Sequence, residues 1–567
     1  MSEMGRRDWM KLAAVPAGAA IVSAACTSET ARATEKGANA PGFSVSTPDN
    51  AVVATTAGRI RGFTRNGVYI FKGIPYGDTT AGQNRFMPPK PVKPWTTVRP
   101  TLAWGPVSPH GPRAGWVNQE EQFLYYWDDG FASEDMLRVN VWTPAVNDEK
   151  KRPVLVWIHG GGYASGSSQE LRPYDGERLA REHDVVLVSM NHRLNVFGFL
   201  DLSQIGGEKY AQSGNVSMLD LVQSLEWVRD NVGVFGGDAG NVTIFGQSGG
   251  GGKVTTLMAM PAAKGLFHKA VALSGSFITG GSRDSAKQLA LAVMKELGLG
   301  PSDVAKLHTV TTEALLNAGQ AAQQKTIPFR FPAPGTLPTI NLGWQPVVDG
   351  AVLPENPFEK AAPALSASIP FLVGNTFHEF ATGIDKPQAL QTTWEQVSAQ
   401  LTPQLGARTS TALDAYRKAF PSAKPFEIGG MIGADLFRRG AILQTERKAA
   451  QNGAPVYAYW FGWKTPVLDG RPLAFHCQDL AFWFDNIDLC VQATGGGEEA
   501  RTLASQMSRA LVAFARTGDP NHDGIPRWPP FTEGSRAMMI WDTKSEVKID
   551  PDREARHALA ESITPSS

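Results

Sequence analysis

Ser248 lies in Gly246-Gln247-Ser248-Gly249-Gly250, directly after the apolar run 242–245 and ahead of the helix-compatible stretch 254–260. A serine lifted onto a sharp strand-to-helix turn leaves no room for side chains at the flanking positions. Such a turn also aims backbone N–H groups and the positive end of the helix at developing negative charge. An inert glycine-rich loop can share the five letters, but it has no need of the strand before and the helix after. Upstream, the run 154–158 ends in His159-Gly160-Gly161-Gly162-Tyr163, a glycine run at the end of a strand whose amides can turn toward a bound substrate. Acyl transfer passes through an oxyanion, and preorganised N–H donors are worth several kcal/mol of its barrier. Gly161, Gly162 and Gly249 are the candidate donors. A phosphate-binding loop would end in Lys-Ser/Thr, and this one does not.

A serine hydroxyl needs a histidine base oriented by a carboxylate. On a strand-to-helix turn of this type the partners follow in the order Ser, acid, His. Of ten histidines, His268, His308, His378, His476, His522 and His557 follow Ser248. His268 and His308 come too early for an intervening acid and strand. His522 sits in the turn sequence Asp519-Pro-Asn-His-Asp-Gly524, and His557 in a charged terminal stretch. His476, in Ala474-Phe-His-Cys-Gln-Asp479 after the apolar run 456–461, is the best base. For the acid, Glu379 follows the run 371–373 on a loop. Asp349 is the runner-up, although Asp-Gly after Val347-Val348 reads as a turn. His378, beside Glu379, should point away from it.

The elements that position these residues are short β-branched runs at 154–158, 185–188, 242–245, 270–273 and 371–373. Near-continuous apolar runs suit strands buried on both faces. Between two of them, residues 217–231 place Met218, Val222, Leu225 and Val228 on one helical stripe, with Ser217 as the expected N-cap. Strand, helix, strand implies an α/β fold with a large, mostly parallel sheet flanked by helices. The Gly- and Pro-rich segments 71–95 and 329–349 look like insertions around that core. With 567 residues, 42% of them hydrophobic, and 58 Gly, the chain describes a loop-rich globular protein. Its 54 basic and 54 acidic residues provide no overall field for nucleic acid. Cys26, Cys477 and Cys490 are too few for a disulfide scaffold, and no cluster has metal-ligand spacing, so neither metal nor cofactor is expected.

Taken together, these motifs resemble the type B carboxylesterases, a family that includes cholinesterases and para-nitrobenzyl esterases. The resemblance runs from about Ala51 to Asp542 through Phe71-Lys-Gly-Ile-Pro-Tyr76, Arg85-Phe-Met-Pro-Pro89, Ser133-Glu-Asp-Met-Leu137, Asn140-Val-Trp-Thr-Pro144 and His159-Gly-Gly-Gly162. It continues through Asn191-His-Arg-Leu194, Phe235-Gly-Gly-Asp238, Phe245-Gly-Gln-Ser-Gly-Gly250 and Ala474-Phe-His476. It implies an α/β-hydrolase fold with a small N-terminal sheet and a small-molecule ester as substrate. It also implies Ser248 as nucleophile, Glu379 as acid, His476 as base, and an oxyanion hole at Gly161, Gly162 and Gly249. The same triad would serve an amide or carbamate hydrolase, and relatives lacking the nucleophile are binding proteins. The chain departs from the family where Gln247 replaces the usual Glu, Phe380 the usual Gly, and Met136 a cysteine that many relatives pair with an upstream one. Loss of a carboxylate at position 247 disfavours cationic substrates. The acyl and alcohol pockets are not legible; Trp116 and Tyr163 either line them or pack.

The N-terminus carries Arg6-Arg7-Asp8-Trp9-Met10-Lys11 followed by an Ala-rich apolar run to Val22, too short to span a bilayer comfortably. It resembles a twin-arginine export signal, implying a periplasmic or extracellular protein. Cleavage after Ala31-Arg32-Ala33 would release a soluble enzyme, while processing ahead of Cys26 would leave a lipid anchor; soluble export is favoured. Residues 1–47 are thus expected to be leader and linker, and 48–567 one catalytic domain with no membrane span. Cys477 and Cys490 are either bridged or two buried thiols.

Overall fold

A computed structural model describes residues 44–111, 119–128, 130–328, 332–339, 341–380 and 383–560. In chain order its first strands are β1 (Ser44–Val45), β2 (Val52–Thr55), β3 (Gly58–Arg61), β4 (Phe63–Arg65), β5 (Val68–Pro75), β6 (Arg99–Pro100), β7 (Arg138–Thr143) and β8 (Arg152–Ile158). They are followed by β9 (Val186–Met190), β10 (Gly237–Gln247), β11 (Lys269–Leu273), β12 (Phe371–Thr376), β13 (Val456–Phe461), β14 (Ala537–Trp541) and β15 (Glu546–Ile549). The strands β2, β3 and β6 form a small N-terminal sheet, and the other twelve form one sheet in the order β1-β4-β5-β7-β9-β8-β10-β11-β12-β13-β14-β15. From β9 to β14 every pairing is parallel, and antiparallel strands close both ends.

Strands buried on both faces explain the continuous apolar runs. Along β8, Val154, Val156 and Ile158 enter one apolar layer and Leu155 and Trp157 the opposite one. Helix α1 (Val216–Asn231) and helix α2 (Gly249–Leu257) supply Met218, Leu221, Leu225, Val228 and Val254 to the first layer. Helix α3 (Asp435–Ala449) joins it through Leu436, Phe437 and Ile442. Helix α4 (Leu480–Trp483) and helix α5 (Glu498–Thr517) cover the other face, the latter through Leu503, Met507, Leu511 and Phe514.

Two sequence expectations change. Ser217 lies inside α1, which begins at Val216; the cap position is Asn215. The Asn215 side chain makes no capping bond and instead pairs with the Val347 backbone. Residues 71–75 are not an insertion but part of β5, where a register shift between Phe71 and Ile74 breaks the apolar run.

The strand order reverses around β8, since β9 lies on one side of it and β10 on the other. Connections leaving the carboxyl ends of β8 and β10 therefore diverge, opening the crevice where open α/β sheets bind ligands. The loops carrying Gly161 and Ser248 border that crevice.

Candidate active site

The register pairs Gly246 of β10 with Ile158 of β8, so Ser248 emerges beside the His159–Gly160 segment. Ser248 has φ 57° and ψ −127°, a strained conformation for a residue with a side chain, and α2 begins at the next residue. The flanking glycines are required by close approach. A Cβ on Gly250 would lie 2.1 Å from the Ile158 carbonyl oxygen, and one on Gly246 would lie 2.6 Å from the Gly250 carbonyl. A Cβ on Gly249 would likewise lie 2.7 Å from the Gly162 amide nitrogen. Among the described residues, the amides of Gly161 and Gly162 have no hydrogen-bond acceptor.

Glu379 and His476 arrive on separate loops beyond β12 and β13 and are stitched side by side. The His378 amide donates to the Ala474 carbonyl at 3.1 Å, and the His476 amide to the Glu379 carbonyl at 3.0 Å. Glu379, at φ 40°, is fixed by its own turn. Its Oε1 accepts from the Thr376 amide at 2.9 Å, while its amide donates to Thr376 Oγ1 at 3.1 Å. The second carboxylate oxygen, Oε2, makes a short hydrogen bond with His476 Nδ1. Both side chains are buried.

With Nδ1 bonded to Glu379, Nε2 of the neutral imidazole is an acceptor. Gln247 Nε2 lies 3.1 Å from it and 3.5 Å from Nδ1, against the ring rather than along the Nε2 lone pair, while Gln247 Oε1 accepts from Cys477 Sγ at 3.3 Å. The Ser248 hydroxyl has no partner among the described residues. Such bonds are often unformed before substrate binds. Burial pulls the His476 proton affinity down, while the hydrogen-bonded Glu379 carboxylate pulls it up, and the imidazole is held above the ordinary histidine value. Phe380 and Phe437 flank the ring, with centroids 4.0 Å and 5.5 Å away.

The other candidates sit in structural roles. Asp349 accepts from Asn215 Nδ2 through Oδ2, and from the Ala351 and Leu353 amides through Oδ1, as a turn acid does. His378 is buried and accepts from the Ala474 amide, with burial lowering it to about 3. His268 accepts from the Val242 amide, His308 bonds Tyr210 and Gly82, and His522 bonds Gln506.

A sequence model described as the carboxylesterase family matches residues 49–559. This chain belongs to the carboxylesterase family. Para-nitrobenzyl esterase of Bacillus subtilis (strain 168) is 35% identical over 517 residues, covering 90% of this chain and 98% of that protein. Phenmedipham hydrolase of Pseudarthrobacter oxydans is 33% identical over 510 residues, covering 88% and 97%. The crystal structure of a Geobacillus stearothermophilus carboxylesterase matches with TM-score 0.73 at 35% identity, covering 90% of this chain and all (100%) of that one. An esterase from anaerobic Clostridium hathewayi that can hydrolyse aliphatic aromatic polyesters matches with TM-score 0.78 at 34% identity, covering 92% and 100%. Coverage this complete extends the likeness to the whole α/β-hydrolase fold rather than one motif.

In this carboxylesterase, three groups near the crevice are not legible as site residues in sequence. Asp479, three positions after His476, is buried with Oδ2 accepting from Tyr459 and Trp483. Burial, with Glu379 nearby, raises it to about 7. Lys253, alone among small and apolar residues of α2, reaches the carbonyls of His159 and Gly160; a lysine in such a stretch is the signal that could have singled it out. Gln247 is visible as a departure, but its contact with the imidazole is not. Tyr163 is buried against Phe199 and Phe277, and Trp116 lies outside the described residues. Cys477 and Cys490 are separate buried thiols.

Proposed function

We propose that this carboxylesterase cleaves carboxylic esters through a covalent acyl-enzyme on Ser248. His476 Nε2 takes the Oγ proton as Oγ attacks the carbonyl carbon, while Glu379 holds Nδ1–H and stabilises the imidazolium. The amides of Gly161, Gly162 and Gly249 receive the oxyanion. The imidazolium then protonates the leaving alcohol, and water, activated by His476, releases the acid. The observation that carries this reading is the Glu379–His476 hydrogen bond, built from two loops beside the strained Ser248 turn. Gln247 in place of a carboxylate removes a charge that would attract a cationic ester, which favours uncharged esters. An amide or carbamate would meet the same groups, so a nitroanilide and a carbamate belong beside a nitrophenyl acetate in the assay. Ser248→Ala should abolish turnover of the nitrophenyl ester with the fold intact. A folded mutant keeping a substantial fraction of the rate would remove Ser248 from the mechanism.

We also propose that the segment ahead of β1 is an export leader and linker, with the chain from β1 onward acting as one catalytic unit outside the cytoplasm; Ser44 and Val45, expected in the linker, already pair with Arg65 and Thr64. Residues 1–43 lie outside the described structure, so the Arg6-Arg7 pair and the apolar run behind it carry this reading. No helix among the described residues is long and apolar enough to cross a membrane. Replacing both arginines with Lys keeps charge but removes the planar guanidinium fork, and should hold active enzyme in the cytoplasm. Unchanged export would reject the route. Mass spectrometry of the exported N-terminus separates a lipidated Cys26 from a soluble start near Glu35.

A further inference from the structure

Lys253 lies five residues beyond Ser248 on α2, its side chain fully buried. An ammonium without water is costly unless its donors are satisfied. Nζ donates to the His159 carbonyl at 3.0 Å and the Gly160 carbonyl at 3.3 Å, and lies 5.7 Å from the centre of the Tyr163 ring. The charged group acting on it is Glu170; burial lowers the lysine to about 7 against that attraction. Protonated or neutral, the amine keeps N–H groups to donate. Why a lysine lies here follows from peptide geometry. In a planar trans peptide, the C=O of one residue and the N–H of the next point in opposite directions. Holding the Gly160 carbonyl toward α2 therefore turns the Gly161 amide away from α2, toward the crevice.

The Gly160–Gly161 peptide needs such a tether. Gly161 has φ 83°, a region where glycine moves readily, so little in the local backbone opposes rotation of that plane. The next peptide is tethered separately, since the Gly161 carbonyl accepts from the Ala164 amide at 3.0 Å and the Ser165 amide at 3.1 Å. That bond pair sets the Gly162 amide. Among the described residues, the Gly160 carbonyl also meets His159 Nδ1, at 3.2 Å. We propose that Lys253 is a positioning residue for the oxyanion hole: by binding the His159 and Gly160 carbonyls from inside the protein, it locks the Gly161 N–H toward the reacting carbonyl. This rests on the acyl-enzyme reading and assigns Lys253 a role in it without contact with substrate.

Lys253→Met keeps the stem and removes the donors, whereas Lys253→Arg keeps them. The probe is an aliphatic trifluoromethyl ketone, which adds to the serine and leaves an oxyanion in the hole; the matching methyl ketone reports ground-state binding. In Lys253→Met the trifluoromethyl ketone should bind at least tenfold more weakly and kcat for nitrophenyl acetate should fall by a similar factor. KM and the methyl ketone should stay within about twofold, and Lys253→Arg should recover most of the loss. A purely structural lysine would lower the unfolding midpoint without changing the ratio of the two ketones. That unchanged ratio in folded Lys253→Met would overturn the proposal, and Lys253→Gln provides the same ratio if the Met variant does not fold. Inhibition of wild type that survives Ser248→Ala would instead overturn the acyl-enzyme reading.

Discussion

His476 touches two polar groups, Glu379 at Nδ1 and Gln247 against the ring near both nitrogens, and in the proposed mechanism each sets a different part of its chemistry. Acylation requires a neutral Nε2, so the rate should rise with pH through the imidazole titration, at a midpoint above the ordinary histidine value. Glu379→Gln removes the charge that favours imidazolium, so that midpoint should move down and activity should fall about a hundredfold or more. Gln247→Glu adds a charge beside Nε2 and should move the midpoint up. Asp349→Asn should instead leave kcat nearly intact and cost about 1 kcal/mol of stability, because its oxygens serve Asn215 and two turn amides. Full pH–rate profiles of the three variants check the ranking, and a larger loss in Asp349→Asn would transfer the acid role. The strained turn at Ser248 and the pairing of Glu379 with His476 were legible in sequence because the requirement for small neighbours around Ser248 is local and the chain order prunes the rest. The contacts of Gln247, Lys253 and Asp479 were not, since each depends on different segments of the chain meeting at the carboxyl ends of the central strands.

At the level of elements, the turn between β10 and α2 concentrates the constraint. Gly250→Ala would press a methyl group onto the Ile158 carbonyl, backbone that cannot rotate aside, and should cost about 3 kcal/mol or more together with most activity. Gly233→Ala, where an added Cβ meets nothing within 4 Å, is the control and should melt near wild type. Thermal melts and nitrophenyl acetate turnover read both; equal melting temperatures would mean that the turn tolerates a side chain. The parallel strands other than β14 were readable from their apolar runs because both faces are buried. Their ends were read short, since Gln247 and Thr376 are polar yet still paired within the sheet. The strand β5 was hidden by Lys72 and Gly73 at its irregularity, and the start of α1 by an asparagine engaged elsewhere.

Across the whole molecule, the C-terminal segment is tied to the core by Arg438 of α3, which grips Asp552 through bonds of 2.8 Å and 2.6 Å and stacks over Trp460 at 4.1 Å. Burial raises the Asp552 carboxyl, but Arg438 and Arg556 overcome it and hold it down at about 2. A carboxyl depressed below its unfolded value stabilises the fold above about pH 4 and loses that contribution as pH falls toward 2. Asp552→Asn should therefore flatten that acid limb of stability and, by leaving Arg438 uncompensated, cost about 3–5 kcal/mol near neutral pH. Denaturant unfolding at pH 7, 4 and 2 checks both parts; an unchanged acid limb would place the loss elsewhere. The central claim, a covalent intermediate on Ser248, is tested most directly by the mass of the intact protein. An acid quench within the first turnovers of a slowly deacylated nitrophenyl ester, followed by peptide mapping, should find one acyl group per chain, on the peptide bearing Ser248. The adduct should be absent from folded Ser248→Ala and should accumulate more slowly in Glu379→Gln. An acyl group on another residue, or wild-type turnover with no adduct on any peptide under conditions where deacylation limits the rate, would contradict the account.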